Sequence, residues 1–381
     1  MSPLTASPLT APAGTPLRLS GTAYARGRAQ SAAAPDMISF VRAAVAARME
    51  ETRAALAMPE ARALIAGDRA YTEKHYPAIL EEMQGICDGF GLSLDTLFAY
   101  MHCAVVSDLG MMAERQPEGC TSFAVADPEH GAVVAKNRDY RPEHIPIQRV
   151  FHHSDPAWGA REVLCLGSLG SPGNFSSGIN SDGLAVTDTN SRTTDHGVGM
   201  HRYFLLTWLL VHCASVDEAL DRILGMPHVG GGLLILGDAA GTVAAVELGH
   251  RKVGHERKVR GRVGRANHFV TETMAAANLR APDSEAQACH SDSRHPRLQE
   301  LLAQAPTPFG LADAAEIASH HGAAGSAGFC RHGDPDLGNT ISCALYATRP
   351  RSLTFTAGTP CQGDWRRFDL ASAQAASRLA S

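Results

Sequence analysis

The sequence predicts an α+β fold in which stacked β-sheets carry helices on their outer faces. Two observations support this. An Ala-rich front third has helical spacing, and the remainder alternates strand pairs, helices and strand pairs again. The two parts meet at Glu114-Arg115-Gln116-Pro117-Glu118. That stretch reads as an exposed loop, because it is polar and proline continues a helix poorly.

Residues 1–16 are low in complexity and are expected to be loose. Ile38, Val41, Val45 and Met49 share one face of a helix expected over 36–66, with Asp36 as its N-cap. Ile79, Met83, Ile86 and Phe90 mark the buried stripe of a helix from Pro77, ended by Gly89 and Gly91. Leu94 to Val106 is apolar nearly all round and predicts a third, buried helix. Short strands follow: Thr121 to Ala126 and Ala132 to Lys136 as a hairpin, then Arg149 to His152 and Val163 to Leu166. Phe175 to Gly178 and Leu184 to Thr187 flank Asn180-Ser181-Asp182-Gly183, a strong turn. Helices are expected over His201 to Cys213 and Val216 to Leu224, the second capped by Ser215. Strands return at Leu233 to Leu236, Thr242 to Leu248 and Val263 to Val270. Helices His295 to Gln304 and Leu311 to His320 precede strands Thr340 to Ala347 and Leu353 to Ala357.

Apolar residues make up 44 % of the 381, enough for a sizeable core. A net charge of -5 argues against a nucleic-acid partner. The longest apolar stretch, Tyr203 to Val211, is too short for a bilayer span, and the N-terminus lacks the pattern of a signal peptide. Nine cysteines without a Cys-x-x-Cys pair give no support to a zinc site or a disulfide framework. The expectation is a cytoplasmic protein with no membrane contact and no metal; homo-oligomerisation is left open. The pairs His152-His153 and His320-His321, even combined with Cys330 and His332, are set aside as a metal site. Adjacent residues on a strand or helix do not face one ion.

Gly119-Cys120-Thr121-Ser122 looks like a self-cleavage junction. Thiolate is the reactive form of cysteine and needs a neighbouring base. A cut before Cys120 would supply one, since a terminal amine titrates at roughly 7.7–8.0. The thiol would attack the Gly119 carbonyl, and glycine leaves that carbonyl unobstructed by a Cβ. As a bare dipeptide, Gly-Cys has negligible specificity and reads first as a buried small hydrophobe. Further motifs decide: Lys136-Asn137-Arg138-Asp139-Tyr140, then Gly178 to Val186 with Asn190 beyond, then Ala266-Asn267-His268-Phe269, and last Ala357-Gly358-Thr359-Pro360-Cys361.

In this order they resemble peptidase family C45 of the N-terminal-nucleophile hydrolases, typified by acyl-coenzyme A:6-aminopenicillanate acyltransferase. Choloylglycine and penicillin V hydrolases are more distant relatives. The likeness spans roughly 75–381, and residues 1–35 match nothing familiar. It implies a four-layer αββα sandwich and a front segment, 1–119, that stays bound to the catalytic segment 120–381 after the cut. It implies Cys120 as nucleophile, Asp139 as the carboxylate orienting its amine and thiol, and Asn267 as an oxyanion donor. Asn190 falls where hydrolase relatives place a second oxyanion-side Asn, and Arg331 is a candidate for a distal arginine. Lys136 departs from the Arg that some relatives carry there. The substrate implied is a small acyl amide, or an acyl-CoA thioester if transfer is the activity, with no cofactor. Two alternatives stand beside this reading: an uncut thiol hydrolase using a base such as His268, and a non-catalytic ligand-binding relative with Cys120 in its core.

Overall fold

Alternation along the strands sorts side chains into three apolar layers, and those layers define the architecture. The computed structural model describes residues 15–112, 119–173, 176–279, 285–322, 328–332 and 339–370, with main chain alone for 285–290. The expectations for residues 1–14, for the loop at 114–118 and for Phe175 lie outside the described residues.

Strand β1 (Leu17–Ser20) is the first element among the described residues and pairs in parallel with β4 (Gln148–Ser154). An eight-stranded sheet continues through β5 (Glu162–Ser168), β6 (Ser177–Asn180), β7 (Ala185–Thr189), β8 (Leu233–Gly237), β9 (Thr242–Leu248) and β10 (Val253–Val259). A second sheet of six strands holds β2 (Thr121–Asp127), β3 (Gly131–Asp139), β11 (Arg262–Arg265), β12 (Thr340–Ala347), β13 (Ser352–Ala357) and β14 (Arg366–Asp369). Its order is β11-β2-β3-β12-β13-β14.

On β2, Ala124 faces the other sheet, in a layer with Val134 and Tyr346 of its own sheet and Leu164, Ile179 and Ile235 of the eight-stranded one. Its neighbours Phe123 and Val125 face the opposite way, onto α10 (Glu285–Gln304) and α11 (Leu311–Ala318) through Leu298, Leu302 and Ile317. The far face of the eight-stranded sheet is covered by the front helices and by α8 (Arg202–His212) and α9 (Val216–Leu224). The four layers are therefore helix, sheet, sheet, helix, and the expected αββα sandwich is present.

The front helices are α1 (Ala23–Ala33), α2 (Ile38–Glu51), α3 (Arg53–Leu56), α4 (Pro59–His75), α5 (Pro77–Phe90), α6 (Leu94–Met101) and α7 (Cys103–Leu109). Helices α1 and α5 cross with backbones touching. A Cβ on Gly27 would land on the Glu82 carbonyl, and one on Gly85 on the Tyr24 carbonyl. Helix α5 has the expected buried stripe, and Gly91 closes it at φ 65, a conformation that favours glycine. Ser215 caps α9 by accepting from the Glu218 N–H at 3.2 Å.

Several boundaries differ from expectation. The helix expected over 36–66 is three helices: the Thr52 hydroxyl bonds back to the Arg48 carbonyl at 2.8 Å, and Pro59 starts the next. Asp36 lies in a short 3₁₀ turn, Pro35–Met37, and caps nothing. The helix over 94–106 breaks at His102, which ties Phe98 O to Asp68 with bonds of 2.8 Å each. The strand expected over 263–270 stops at Arg265.

Among the described residues, no helix is long and apolar enough to cross a membrane.

Burial also fixes charge states. Burial pushes the pKa of His153 down to about 3, with Arg26 adding to the shift, and it holds His144 and His201 well below their ordinary range. A depressed histidine contributes stability that is complete above its unfolded pKa of about 6.5 and is lost as pH falls towards the folded value. Stability should therefore drop between about pH 6.5 and pH 3. His153→Gln should flatten part of that slope in urea midpoints measured across the range, and an unchanged slope would contradict it.

Candidate active site

The β2–β3 hairpin brings the two ends of the first motif pair together. Cys120 immediately precedes β2, Asp139 ends β3, and Thr121 pairs with Asn137 between them. The Cys120 thiol donates to the Asp139 main-chain carbonyl at 3.4 Å. Both residues are buried, Cys120 with 5 % exposure and Asp139 with 1 %.

The Asp139 carboxylate has two different environments. Oδ1 accepts from Thr340 Oγ1 at 2.7 Å. Oδ2 lies 3.6 Å from Arg331 Nη1 and accepts no hydrogen bond among the described residues. It is turned to Gly119, where an added Cβ would strike both Arg331 and this oxygen. Burial pushes the Asp139 carboxyl above its ordinary range, while Arg331 and the Thr340 hydrogen bond pull it back.

Arg294 is the residue that the sequence did not single out. It projects from α10 and is fully buried. Its Nη1 donates to the carbonyl oxygens of Gly119 at 2.8 Å and Cys120 at 2.9 Å, and to Thr121 Oγ1 at 2.8 Å. Its Nη2 donates to Asn267 Oδ1 at 2.6 Å. The Gly119 oxygen belongs to the peptide bond expected to be cut. Burial lowers the Arg294 pKa to about 10, still high enough to keep the guanidinium charged at neutral pH. Nothing in the pattern of α10 announces this role.

Asn267 is held at both ends of its amide. Oδ1 accepts from Arg294, and Nδ2 donates to the Asn190 main-chain carbonyl at 2.9 Å. These contacts fix which end is nitrogen and leave one amide hydrogen for a further acceptor. Asn190 thus joins the cluster through its backbone, just past β7. Arg331, the candidate distal arginine, joins the cluster through Asp139. Lys136 is committed elsewhere, with Nζ on the Asp188 carboxylate at 2.5 Å and Arg202 on the other oxygen at 3.3 Å. His268 bonds Ser291 Oγ at 2.8 Å and lies 3.6 Å from Asp292. Arg138, two residues from Lys136, is buried against Ser168 and Gln148, and a charge on Cys120 acts on it.

A thiol, a buried carboxylate, two guanidiniums and an oriented carboxamide therefore meet around one peptide bond. A family model described as acyl-coenzyme A:6-aminopenicillanic acid acyl-transferase matches residues 126–362. The chain belongs to this family. The acyl-transferase match takes in Asp139, Asn190, Asn267, Arg294 and Arg331, and begins just past Cys120. No curated protein matches the sequence. Similar solved structures include a mutant and a variant of conjugated bile acid hydrolase from Clostridium perfringens. Each is 12% identical and covers 66% of this chain and 93% of that chain, with TM-scores of 0.45 and 0.46. Penicillin V acylase from Agrobacterium tumefaciens is 14% identical and covers 66% of this chain and 86% of that chain, with a TM-score of 0.43.

Proposed function

We propose that this acyl-transferase family member is a self-processing cysteine amidohydrolase or N-acyltransferase. It cuts its own Gly119–Cys120 bond and then works through an acyl-Cys120 intermediate. One observation carries the reading. In the intact chain, Gly119 lies between Arg294, which donates to its carbonyl oxygen, and an Asp139 oxygen that accepts no hydrogen bond among the described residues.

The first reaction is an N-to-S acyl shift. Cys120 Sγ attacks the Gly119 carbonyl carbon, and the oxygen takes up negative charge where Arg294 already donates. The C–N bond breaks as the Cys120 nitrogen takes a proton, leaving a thioester. Water then hydrolyses that thioester to a Gly119 carboxylate and a free thiol. The new amine of Cys120 finds an acceptor in Asp139 Oδ2, whose charge is balanced by Arg331. Residues 1–119 remain bound to 120–381.

In turnover, the Cys120 amine takes the thiol proton and returns it to the leaving group. The thiolate forms an acyl-thioester with the substrate carbonyl. The free hydrogen of the Asn267 amide steadies the oxyanion, which suits a donor that adds no permanent charge. Water resolves the acyl-enzyme in hydrolysis, and an amine resolves it in transfer. The substrate is an N-acyl small molecule, or an acyl-CoA thioester when the enzyme transfers. His268, turned to Ser291 and Asp292, does not favour a histidine-based mechanism. A reducing, cytoplasmic setting fits the cysteines among the described residues, which are all free.

The test is a panel of N-acyl amino acids, β-alanyl amines and penicillins, with and without acyl-CoA. Intact mass should then find an acyl adduct on the fragment that begins with Cys120. Turnover without any Cys120 adduct under quench would overturn the acyl-enzyme. Gly119→Ala should slow self-cleavage at least about tenfold, since its Cβ would displace both Arg331 and Asp139. Cleavage of that variant at the wild-type rate, followed on a denaturing gel, would show that the packing around Gly119 is irrelevant to the cut.

A further inference from the structure

Four soft donors converge behind the active site, on the outer side of Arg331. His321 Nε2 and His332 Nε2 are 3.0 Å apart. Cys361 Sγ is 3.3 Å from His332 Nε2 and 3.4 Å from Cys330 Sγ. All four donor atoms lie within 4.8 Å of one another. They come from three places in the chain: the end of α11, the segment before β12, and the loop between β13 and β14. Cys330 is buried, and the other three are exposed, so the cluster opens to solvent on one side.

Two ordinary explanations fit poorly. A disulfide needs sulfurs about 2.05 Å apart, well short of the separation here. Hydrogen bonding alone would have two imidazole nitrogens and two sulfurs share protons around one point, with lone pairs left facing each other. A shared cation satisfies all four at once. Tetrahedral zinc has bonds of about 2.3 Å to sulfur and 2.0–2.1 Å to nitrogen, which puts paired ligands about 3.3–3.8 Å apart. The observed separations of 3.0, 3.3 and 3.4 Å fall within a few tenths of an ångström of that geometry. The set contains no carboxylate, so magnesium and calcium are poor candidates. Four protein donors close the coordination shell and leave no position for a substrate.

We propose that His321, Cys330, His332 and Cys361 bind one Zn²⁺ as a closed, structural Cys₂His₂ site that fixes Arg331 against Asp139. Arg331 lies between two of the ligands. Its main chain is tied on both sides to Thr340, through the bond from Arg331 N to Thr340 Oγ1 and that from Thr340 N to Arg331 O, each 2.9 Å. The same Thr340 hydroxyl holds Asp139. Zinc would anchor the outer side of a segment whose inner side positions the carboxylate beside Cys120. His320 is not a ligand: its Nε2 lies 3.3 Å from the Arg297 guanidinium. One histidine of the adjacent pair therefore ligates, which removes the objection that neighbours cannot share an ion. The second thiolate arrives from Cys361, beyond two strands. Zinc binding stands independently of the proposed self-processing; the role given to Arg331 rests on it.

The experiment is elemental analysis of the full chain purified under reducing conditions without chelator. Close to one zinc per chain is expected. His321→Ala and Cys361→Ser should bind zinc at least about tenfold more weakly against a chromophoric chelator, because each opens the shell. Cys120→Ala and His320→Ala should bind as the wild type does. Cobalt in place of zinc should give the visible bands of a tetrahedral ion and thiolate charge transfer in the near ultraviolet. A chain without metal after exposure to zinc, a Cys330–Cys361 disulfide under the same conditions, or equal zinc in Cys361→Ser would each overturn the site. For the positioning role, stripping zinc from processed enzyme should lower kcat about tenfold and readdition should restore it. The same treatment of Arg331→Ala should change kcat no further. If both proteins lose the same factor, zinc does not act through Arg331. Loss of Cys120-dependent processing with zinc retained would instead fail the functional reading alone.

Discussion

Cys120→Ala should leave one intact chain of 381 residues, where the wild type separates into residues 1–119 and a fragment beginning at Cys120. Intact mass reads the difference directly. The substitution removes the only atom proposed to attack the Gly119 carbonyl, while the contacts from Arg294 to that carbonyl remain. The uncut protein should therefore fold, with its polar cluster in place and its peptide bond whole. Amide turnover should fall to background, because both the thiol and the amine that serves it are missing. A wild-type chain that stays whole yet hydrolyses amides in a Cys120-dependent way would replace the amine with another base. A whole and inert wild type would point to a ligand-binding protein.

Asn267→Ala should lower kcat of the processed enzyme by about 10²–10³-fold, the usual effect of deleting one oxyanion donor. KM should move less, since the donor matters most when charge has developed on the oxygen. Asn267→Asp is the sharper control. It keeps the shape of the side chain and the bond from Arg294 but replaces the donating nitrogen with an oxygen. Folding should survive and turnover should fall at least as far as in the alanine variant. Retained activity in Asn267→Asp would remove Asn267 from the oxyanion site. Arg294 should couple the two proposed reactions, since one end of its guanidinium reaches the Gly119 carbonyl and the other holds Asn267.

Much of this cluster was legible because its parts are local. Cys120 and Asp139 sit at matching ends of one hairpin, so their proximity follows from strand length and a short turn. Helix α5 and the cap of α9 were legible for the same reason: Gly91 and Ser215 act on neighbouring backbone. Contacts between distant segments were not. Asn267, just past β11, meets the carbonyl of Asn190, just past β7 in the other sheet, and no periodicity encodes that pairing. Arg294 lay just outside the helix expected from His295, and only its burial beside the Gly119–Cys120 bond identifies it. Strands β1, β10 and β14 lie at sheet edges and went unread. Strand β10 is largely exposed, so it lacks the apolar alternation that betrays a central strand. Of the proposed zinc ligands, His321, Cys330 and His332 were set aside because adjacent residues do not face one ion, and Cys361, two strands further on, was not joined to them.

Strand β1 has a consequence for how the processed protein responds to unfolding. It supplies an edge of the eight-stranded sheet, and α1, α2 and α5 cover that sheet, yet all of them precede the proposed cut. Before cleavage these pieces are joined in one chain, and they meet at a fixed effective concentration whatever the dilution. The proposed cleavage would remove that link. Recovery from denaturant becomes a meeting of two molecules, faster in concentrated solution and slower in dilute. An uncut chain should refold by itself, and a chain cut as proposed should need its other half nearby.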